Sequence, residues 1–180
     1  MALEVYLESF LGGERGGGDA VAALAILRAF GARRDDFGAW QLDFGEGAAA
    51  EVTGFERLDE TAADNAPALS CLVRLSDLTP RGADFLFGLA QNAVLAIIVP
   101  HEEAPNGVYV LVPMEVDPAD LPAATPFDTP RGVDHSDTLF ALLNPLQAGR
   151  WSVWDDELNP RQRELEPSWT QRIMDWLRRR

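Results

Sequence analysis

Two histidines stand among carboxylates, in His101-Glu102-Glu103 and in Asp134-His135-Ser136-Asp137. Imidazole nitrogens together with carboxylate oxygens form a donor set for a divalent metal, and a metal so held can activate a water for hydrolysis. That chemistry requires the two loops to meet, because neither His-x-His nor His-x-x-x-His occurs anywhere in the chain. One enzymatic reading is therefore a metal-assisted hydrolase using His101, His135 and the neighbouring Glu102, Glu103, Asp134 and Asp137. The simpler reading of the same residues is a pair of surface histidines beside carboxylates, with no cofactor.

The lone thiol, Cys71, could act as a nucleophile with one of these histidines as base. It shares an alternating face with Leu69, Val73 and Leu75, which is the setting of an inert core cysteine. Gly13-Glu14-Arg15-Gly16-Gly17-Gly18-Asp19 follows one expected strand and opens an expected helix, as anion-binding loops do. It lacks a phosphate-loop lysine and the G-x-G-x-x-G spacing. Arg15, Gly18 and Ala20 satisfy the R-x-x-G-x-A spacing of acetyl-CoA-binding acetyltransferases, but here the loop follows the first strand, and Glu14 and Asp19 would repel a pyrophosphate. A flexible loop is the reading adopted. The most partner-like patch is Trp151 and Trp154 beside Asp155, Asp156 and Glu157, since aromatic residues are frequent interface anchors. The same rings could instead lock the end of the chain onto its own domain.

All 15 basic residues are arginine. Without lysine there is no Schiff-base amine, and a single cysteine excludes Cys₂His₂ and Cys₄ zinc sites. Arginine used to the exclusion of lysine, with abundant Ala and Gly, points to a GC-rich bacterial genome. The net charge is −14, distributed as −8 over residues 1–101, −9 over 102–159 and +3 over 160–180. Nucleic-acid binding needs a basic face, so no nucleic acid is expected, and no membrane, because an anionic bilayer would repel most of this surface. A basic protein partner would be drawn in by long-range attraction. One cysteine, no apolar run long enough to span a bilayer and no basic-then-apolar leader suggest the cytoplasm.

The elements that must position these residues follow from periodicity. Leu3 to Phe10 alternates as a strand with Leu3, Val5 and Leu7 on one face. Asp19 caps a helix from Ala20 to Phe30, apolar on nearly all sides and so expected to be heavily buried, and Gly31 ends it. Trp40 to Phe44 and Ala49 to Phe55 form a hairpin about Gly45-Glu46-Gly47. Leu69 to Leu75 is the next strand. Thr79 caps a helix that opens on Pro80 and runs to about Asn92. Val94 to Val99 reads as a central strand buried on both faces, and Val108 to Val112 follows after a turn. Prolines 113, 118, 122, 126 and 130 then mark an extended segment. Ser136 or Asp137 caps a short helix through Leu143, Trp151 to Trp154 suggests a strand fragment, and Pro167 opens a last helix with Trp169, Ile173, Trp176 and Leu177 on one stripe.

The expected architecture is one α+β domain over residues 1–180: a sheet core over 1–113, a Pro/Asp-rich extended segment over 114–137 and a helical C-terminal segment over 138–180. Its sheet should be antiparallel or mixed, of about six strands, with two helices on one face, in a ferredoxin-like or related arrangement of βαββ repeats. The expected function is a non-enzymatic acidic protein-binding module, in its sharper form an immunity or inhibitor protein for a basic effector or toxin. It is similar only in general character to toxin-immunity proteins. The alternatives are a subunit or adaptor of a larger bacterial assembly, and the metal-assisted hydrolase above.

Overall fold

A computed structural model describes residues 2–56, 58, 68–101, 104, 107–123, 127 and 130–147. The chain is α+β. Among the described residues, ten strands and three α-helices run in the order β1 (Leu3–Glu8), β2 (Phe10–Leu11), β3 (Glu14–Arg15), α1 (Ala20–Ala29), β4 (Arg33–Arg34), β5 (Trp40–Gly45), β6 (Ala48–Thr53), β7 (Ser70–Leu75), α2 (Pro80–Asn92), β8 (Ala96–Pro100), β9 (Val108–Pro113), β10 (Arg131–Val133) and α3 (Ser136–Gln147). Eight of the strands form one sheet in the order β10-β9-β8-β1-β7-β6-β5-β4, and β2 pairs with β3 in a small separate hairpin. All neighbours in the large sheet are antiparallel except β9 and β10, which are parallel.

Alternation fixes the strands. Leu3, Val5 and Leu7 point into the core from β1, and Cys71, Val73 and Leu75 meet them from β7, with Val5 opposite Val73. β8 and β9 are buried along almost their whole length, as expected of strands covered on both faces. Capping fixes the helices. The Asp19 carboxylate accepts from the Ala22 N–H at 2.9 Å, and the Thr79 hydroxyl accepts from the Gly82 N–H at 3.1 Å. Gly31, at φ +76°, closes α1 in the left-handed conformation that glycine adopts without penalty.

The core lies between the sheet and the three helices, all of which contribute to one apolar cluster. Phe85 of α2 sits fully buried at its centre, edge-on to Phe30 and tilted against Phe44. On the opposite face, the chain between β9 and β10 crosses β8 and β9. It builds a second cluster from Val116, Leu121 and Phe127 over Ile98, Val110 and Val112, with Phe10 edge-on to Phe127 at 5.2 Å. On the rest of that second face, called the open face below, Glu4 of β1, Arg74 of β7, Ala49 of β6 and Gln41 and Asp43 of β5 are exposed.

Several expectations need correction. The large sheet has eight strands rather than about six, because β4 and β10 are edge strands of two and three residues that only pairing defines. Three described helices, not two, pack on one face, since α3 joins α2 there. A ferredoxin-like description covers only the central order β8-β1-β7-β6 with its two connecting helices. Helix α1 buries one side only, leaving Val21 49 % exposed. Ser136 and Asp137 are the first two residues of α3, which continues through Pro145 to Gln147 rather than stopping at Leu143. The segment 114–137 is not wholly extended: it contains a single 3-10 turn at Pro118–Asp120, strand β10 and the start of α3. No helix among the described residues is long and apolar enough to cross a membrane.

Candidate functional site

The alternation that buries Leu3, Val5 and Leu7 turns Glu4, Tyr6 and Glu8 to the open face. The same rule sends Ser70, Leu72 and Arg74 there from β7, Ala49, Glu51 and Thr53 from β6, and Gln41 and Asp43 from β5. Register then sorts these side chains into rows. Arg33, Gln41, Glu51, Arg74 and Glu4 stand opposite one another across five strands. Four of the heads are joined: Arg74 Nε donates to Glu4 at 2.9 Å, its Nη1 lies 3.8 Å from Glu51, and Gln41 donates to Glu51 at 3.2 Å. Facing residues of opposite charge stabilise a sheet by a few tenths of a kcal/mol to about 1 kcal/mol per pair, and half-exposed pairs like these fall at the low end.

The next row is apolar and aromatic: Thr53, Leu72, Tyr6 and then Ile98, which the crossing segment covers. Burial raises the Tyr6 hydroxyl pKa, and Glu4 and Glu8 push it the same way while Arg74 opposes them. In the third row Glu8 stands opposite Ser70, with its carboxylate almost wholly buried. Arg15 reaches it from the β2–β3 hairpin at 3.2 Å, and the Ser70 hydroxyl donates to it at 3.3 Å. A buried carboxylate survives only with such partners. The open face is thus a Tyr6–Leu72 strip between two polar rows. Arg74 stands between two carboxylates of the first row, Glu4 and Glu51.

Sequence reasoning singled out other residues. His101 and His135 are not brought together. His101 follows β8, beside the start of β9, where its N–H donates to Gly107. His135 follows β10, which runs parallel to β9 and ends beside Pro113 at the far end of that strand. Six residues of β9 separate the two ends, a distance on the order of 17 Å. Asp134 accepts from the Thr138 hydroxyl at 2.9 Å, and that bond holds its pKa below the usual carboxylate range. Asp137 lies in the first turn of α3. Glu102 and Glu103 lie outside the described residues. Among the described residues, no group of three His, Cys, Asp or Glu side chains could hold a metal ion.

Cys71 is buried on the core face of β7, and desolvation raises its thiol far above the usual range, with Glu8 and Glu56 adding to the effect. The glycine loop is not the loose loop expected. Phe10–Leu11 and Glu14–Arg15 close it into a hairpin, and its Gly12 and Gly13 N–H groups donate to the side chain and backbone of Asp120 at 2.9 Å each. Gly18 answers to packing: a Cβ there would lie 2.6 Å from Leu69 and 2.9 Å from the Ser9 hydroxyl. Trp151, Trp154, Asp155, Asp156 and Glu157 lie outside the described residues, as do the expected strand fragment at Trp151 to Trp154 and the helix from Pro167.

Two further surface features stand out. A shallow groove of about 380 Å³ beside β9 and β10 is lined mainly by apolar groups, including Val112, Met114 and Val133, with Asp134 at its rim. Phe37 is 92 % exposed on the turn between β4 and β5. That turn is firmly held, since the Asp35 carboxylate accepts from the Phe37 and Ala39 N–H groups and from Gln41. Partial desolvation pushes the Asp35 pKa up, but these bonds outweigh it and leave the group below its ordinary value. This face has a signal in the sequence as well: Glu4, Tyr6 and Glu8 alternate with the buried Leu3, Val5 and Leu7, so the second half of the same period marks it. Comparison with family models, with curated proteins and with solved structures finds no match for this chain.

Proposed function

We propose that this chain is a non-enzymatic, protein-binding module of the cytoplasm whose open sheet face takes a basic partner. In its sharper form it is an immunity or inhibitor protein that neutralises a basic effector or toxin. The observation that supports this reading most is the composition of that face. Tyr6 and Leu72 form an apolar strip, and carboxylates border it on both sides. Interfaces combine an aromatic or apolar centre with a polar rim, and tyrosine is among the commonest anchors. The net charge of −14 adds attraction at long range. A second reading, a subunit of a larger assembly, is favoured by Phe37, a large aromatic ring held out to solvent on a pinned turn.

One experiment separates the two. The chain is expressed in its native cells as wild type, as Glu4→Arg/Glu51→Arg and as Phe37→Ala, and is recovered with its partners at low and at physiological salt. The expected result is a basic protein that accompanies the wild type and Phe37→Ala, is depleted at least tenfold with the double charge variant, and weakens as salt rises. Loss with Phe37→Ala alone supports the assembly reading. Recovery of the same proteins with all three forms would defeat the assignment of both surfaces.

A further inference from the structure

The two edges of the large sheet differ in how they meet solvent. An edge strand turns alternate N–H and C=O groups outward, and charged side chains are a usual guard against pairing with another chain. β4 is guarded in this way: it consists of Arg33 and Arg34, both exposed, and Arg34 lies over the Trp40 ring at 4.6 Å. β10, the edge at the other end among the described residues, differs. Its one charged side chain, Arg131, stands opposite Leu111 on the face that packs on the helices, where Val133 is also buried. Gly132 between them belongs to the second face, opposite Val112, and a Cβ added there would meet nothing within 4 Å.

The groove of about 380 Å³ lies against this same edge. Val112, Gly132 and Val133 line it from the two strands, and Met114, Val116 and Pro118 from the crossing segment. Met114 is 80 % exposed there, a large apolar side chain that the fold itself does not bury. Charge is added directly beyond β10, where Asp134 lines the groove with its carboxylate held by the Thr138 hydroxyl at 2.9 Å. Glu115 and Asp117, which alternate with Met114, Val116 and Pro118 along the chain, are exposed as well. A strand paired with β10 would turn every second side chain toward this groove. Apolar residues suit its length, and a basic residue suits its Asp134 end.

We propose that β10 and its groove bind an extended segment of another protein, which joins the sheet as a further strand and sets apolar side chains against Val112 and Met114 and a basic one against Asp134. In such strand addition, main-chain hydrogen bonds supply affinity and the pockets for alternate side chains supply specificity. A second copy of this chain is the poorer occupant: two molecules of −14 repel one another, and residues 102–159, which include this edge, carry −9 of that charge. The site is separate from the Tyr6–Leu72 strip. β1 lies three strands from β10, on the order of 14 Å away, and the crossing segment covers β8 and β9 between them.

The probe is the peptide Thr-Arg-Thr-Val-Thr-Val-Thr-Arg-Thr, which puts arginine and valine on one face when extended and reads the same in both directions. It is titrated into the isotope-enriched full chain, and backbone amide shifts are followed by nuclear magnetic resonance. The expected result is saturable binding with the largest shifts at residues 131–134 and at Met114. Gly132→Trp, which fills the groove from a position with open space around it, should weaken binding about tenfold. Met114→Gln, at a position the fold leaves exposed, should weaken it in the same direction. The peptide with every amide N-methylated, which cannot donate to an edge strand, should not bind, and glutamate in place of its arginines should reduce affinity. Glu4→Arg/Glu51→Arg should leave binding unchanged, so the outcome does not depend on how the open face is read. Undiminished binding by Gly132→Trp, or equal binding of the methylated peptide, would overturn the proposal. So would shifts centred on Tyr6 and Leu72, or no saturation by about 1 mM peptide. A dimer of the free chain that Gly132→Trp dissociates would identify a second copy as the occupant instead.

Discussion

At the scale of single residues, the positions that bear reactive groups are held by their surroundings in ways that suppress reactivity. Cys71 illustrates this. Burial raises its thiol far above the ordinary range, so the folded protein keeps a proton that the unfolded chain gives up. An acid whose pKa is raised by folding contributes stability at low pH and loses it as pH climbs past the unfolded value, here about 8.5 for a free thiol. Tyr6, also raised by burial, adds the same sign of effect from about pH 10. The urea midpoint is therefore expected to fall between pH 8.5 and pH 10.5, with the unfolding free energy approaching a slope of ~1.4 kcal/mol per pH unit for the buried Cys71 and a smaller one for the partly exposed Tyr6. Cys71→Ala should lower the midpoint at pH 7 through lost packing yet flatten its decline between pH 8.5 and 10. A wild-type midpoint that stays level over that range would mean that solvent reaches the sulfur. Asp35 and Asp134 act in the opposite sense: their lowered pKa values add stability above the normal carboxylate range, and it is lost as pH falls through it.

At the scale of elements, close approach of neighbouring strands sets the tightest demands. Gly54, at φ +98°, ends β6, and a Cβ there would lie 2.5 Å from the Ser70 carbonyl oxygen at the start of β7. Both backbones would have to move, so Gly54→Ala is expected to destabilise by about 3 kcal/mol. Gly45→Ala, also at positive φ but with open space around it, should cost only about 1 kcal/mol. Equal losses by urea titration would show that conformational strain rather than crowding dominates. The elements most legible in the sequence were those with a period and a cap: β1, the β5–β6 hairpin, β7 and α2, where Thr79-Pro80 marks the start. Strands β4 and β10 were not legible, because two or three residues carry no period and exist only by pairing with β5 and β9. The crossing segment was read as extended, but the burial of Val116, Leu121 and Phe127 under Phe10 depends on contacts distant in sequence. For the site, attention fell on rare residue types, the histidines and tryptophans. Common ones, Glu, Tyr, Leu and Arg, gain meaning only when register aligns them in rows.

At the scale of the whole molecule, an excess of 14 negative charges works against compaction. Salt screens that repulsion over a Debye length of about 10 Å at 0.1 M, and it weakens the exposed Glu4–Arg74–Glu51 row as well. The many-body repulsion outweighs one half-exposed row, so the thermal midpoint should rise by a few degrees between 10 and 150 mM sodium chloride. A falling midpoint would place local ion pairs above global repulsion. The position of β1 sets a separate condition on how the fold is reached. This strand occupies the middle of the sheet, between β7 and β8, yet it leaves the ribosome before either. Its partners begin at Ser70 and Ala96, more than sixty residues later. At roughly 5–20 residues per second of synthesis, β1 waits several seconds with both edges unpaired, and α1 waits with it for a sheet to lie on. Folding of this chain is thus held back until its second half emerges. A pause in translation before residue 100 would lengthen the period in which an apolar strand is open to the wrong pairing.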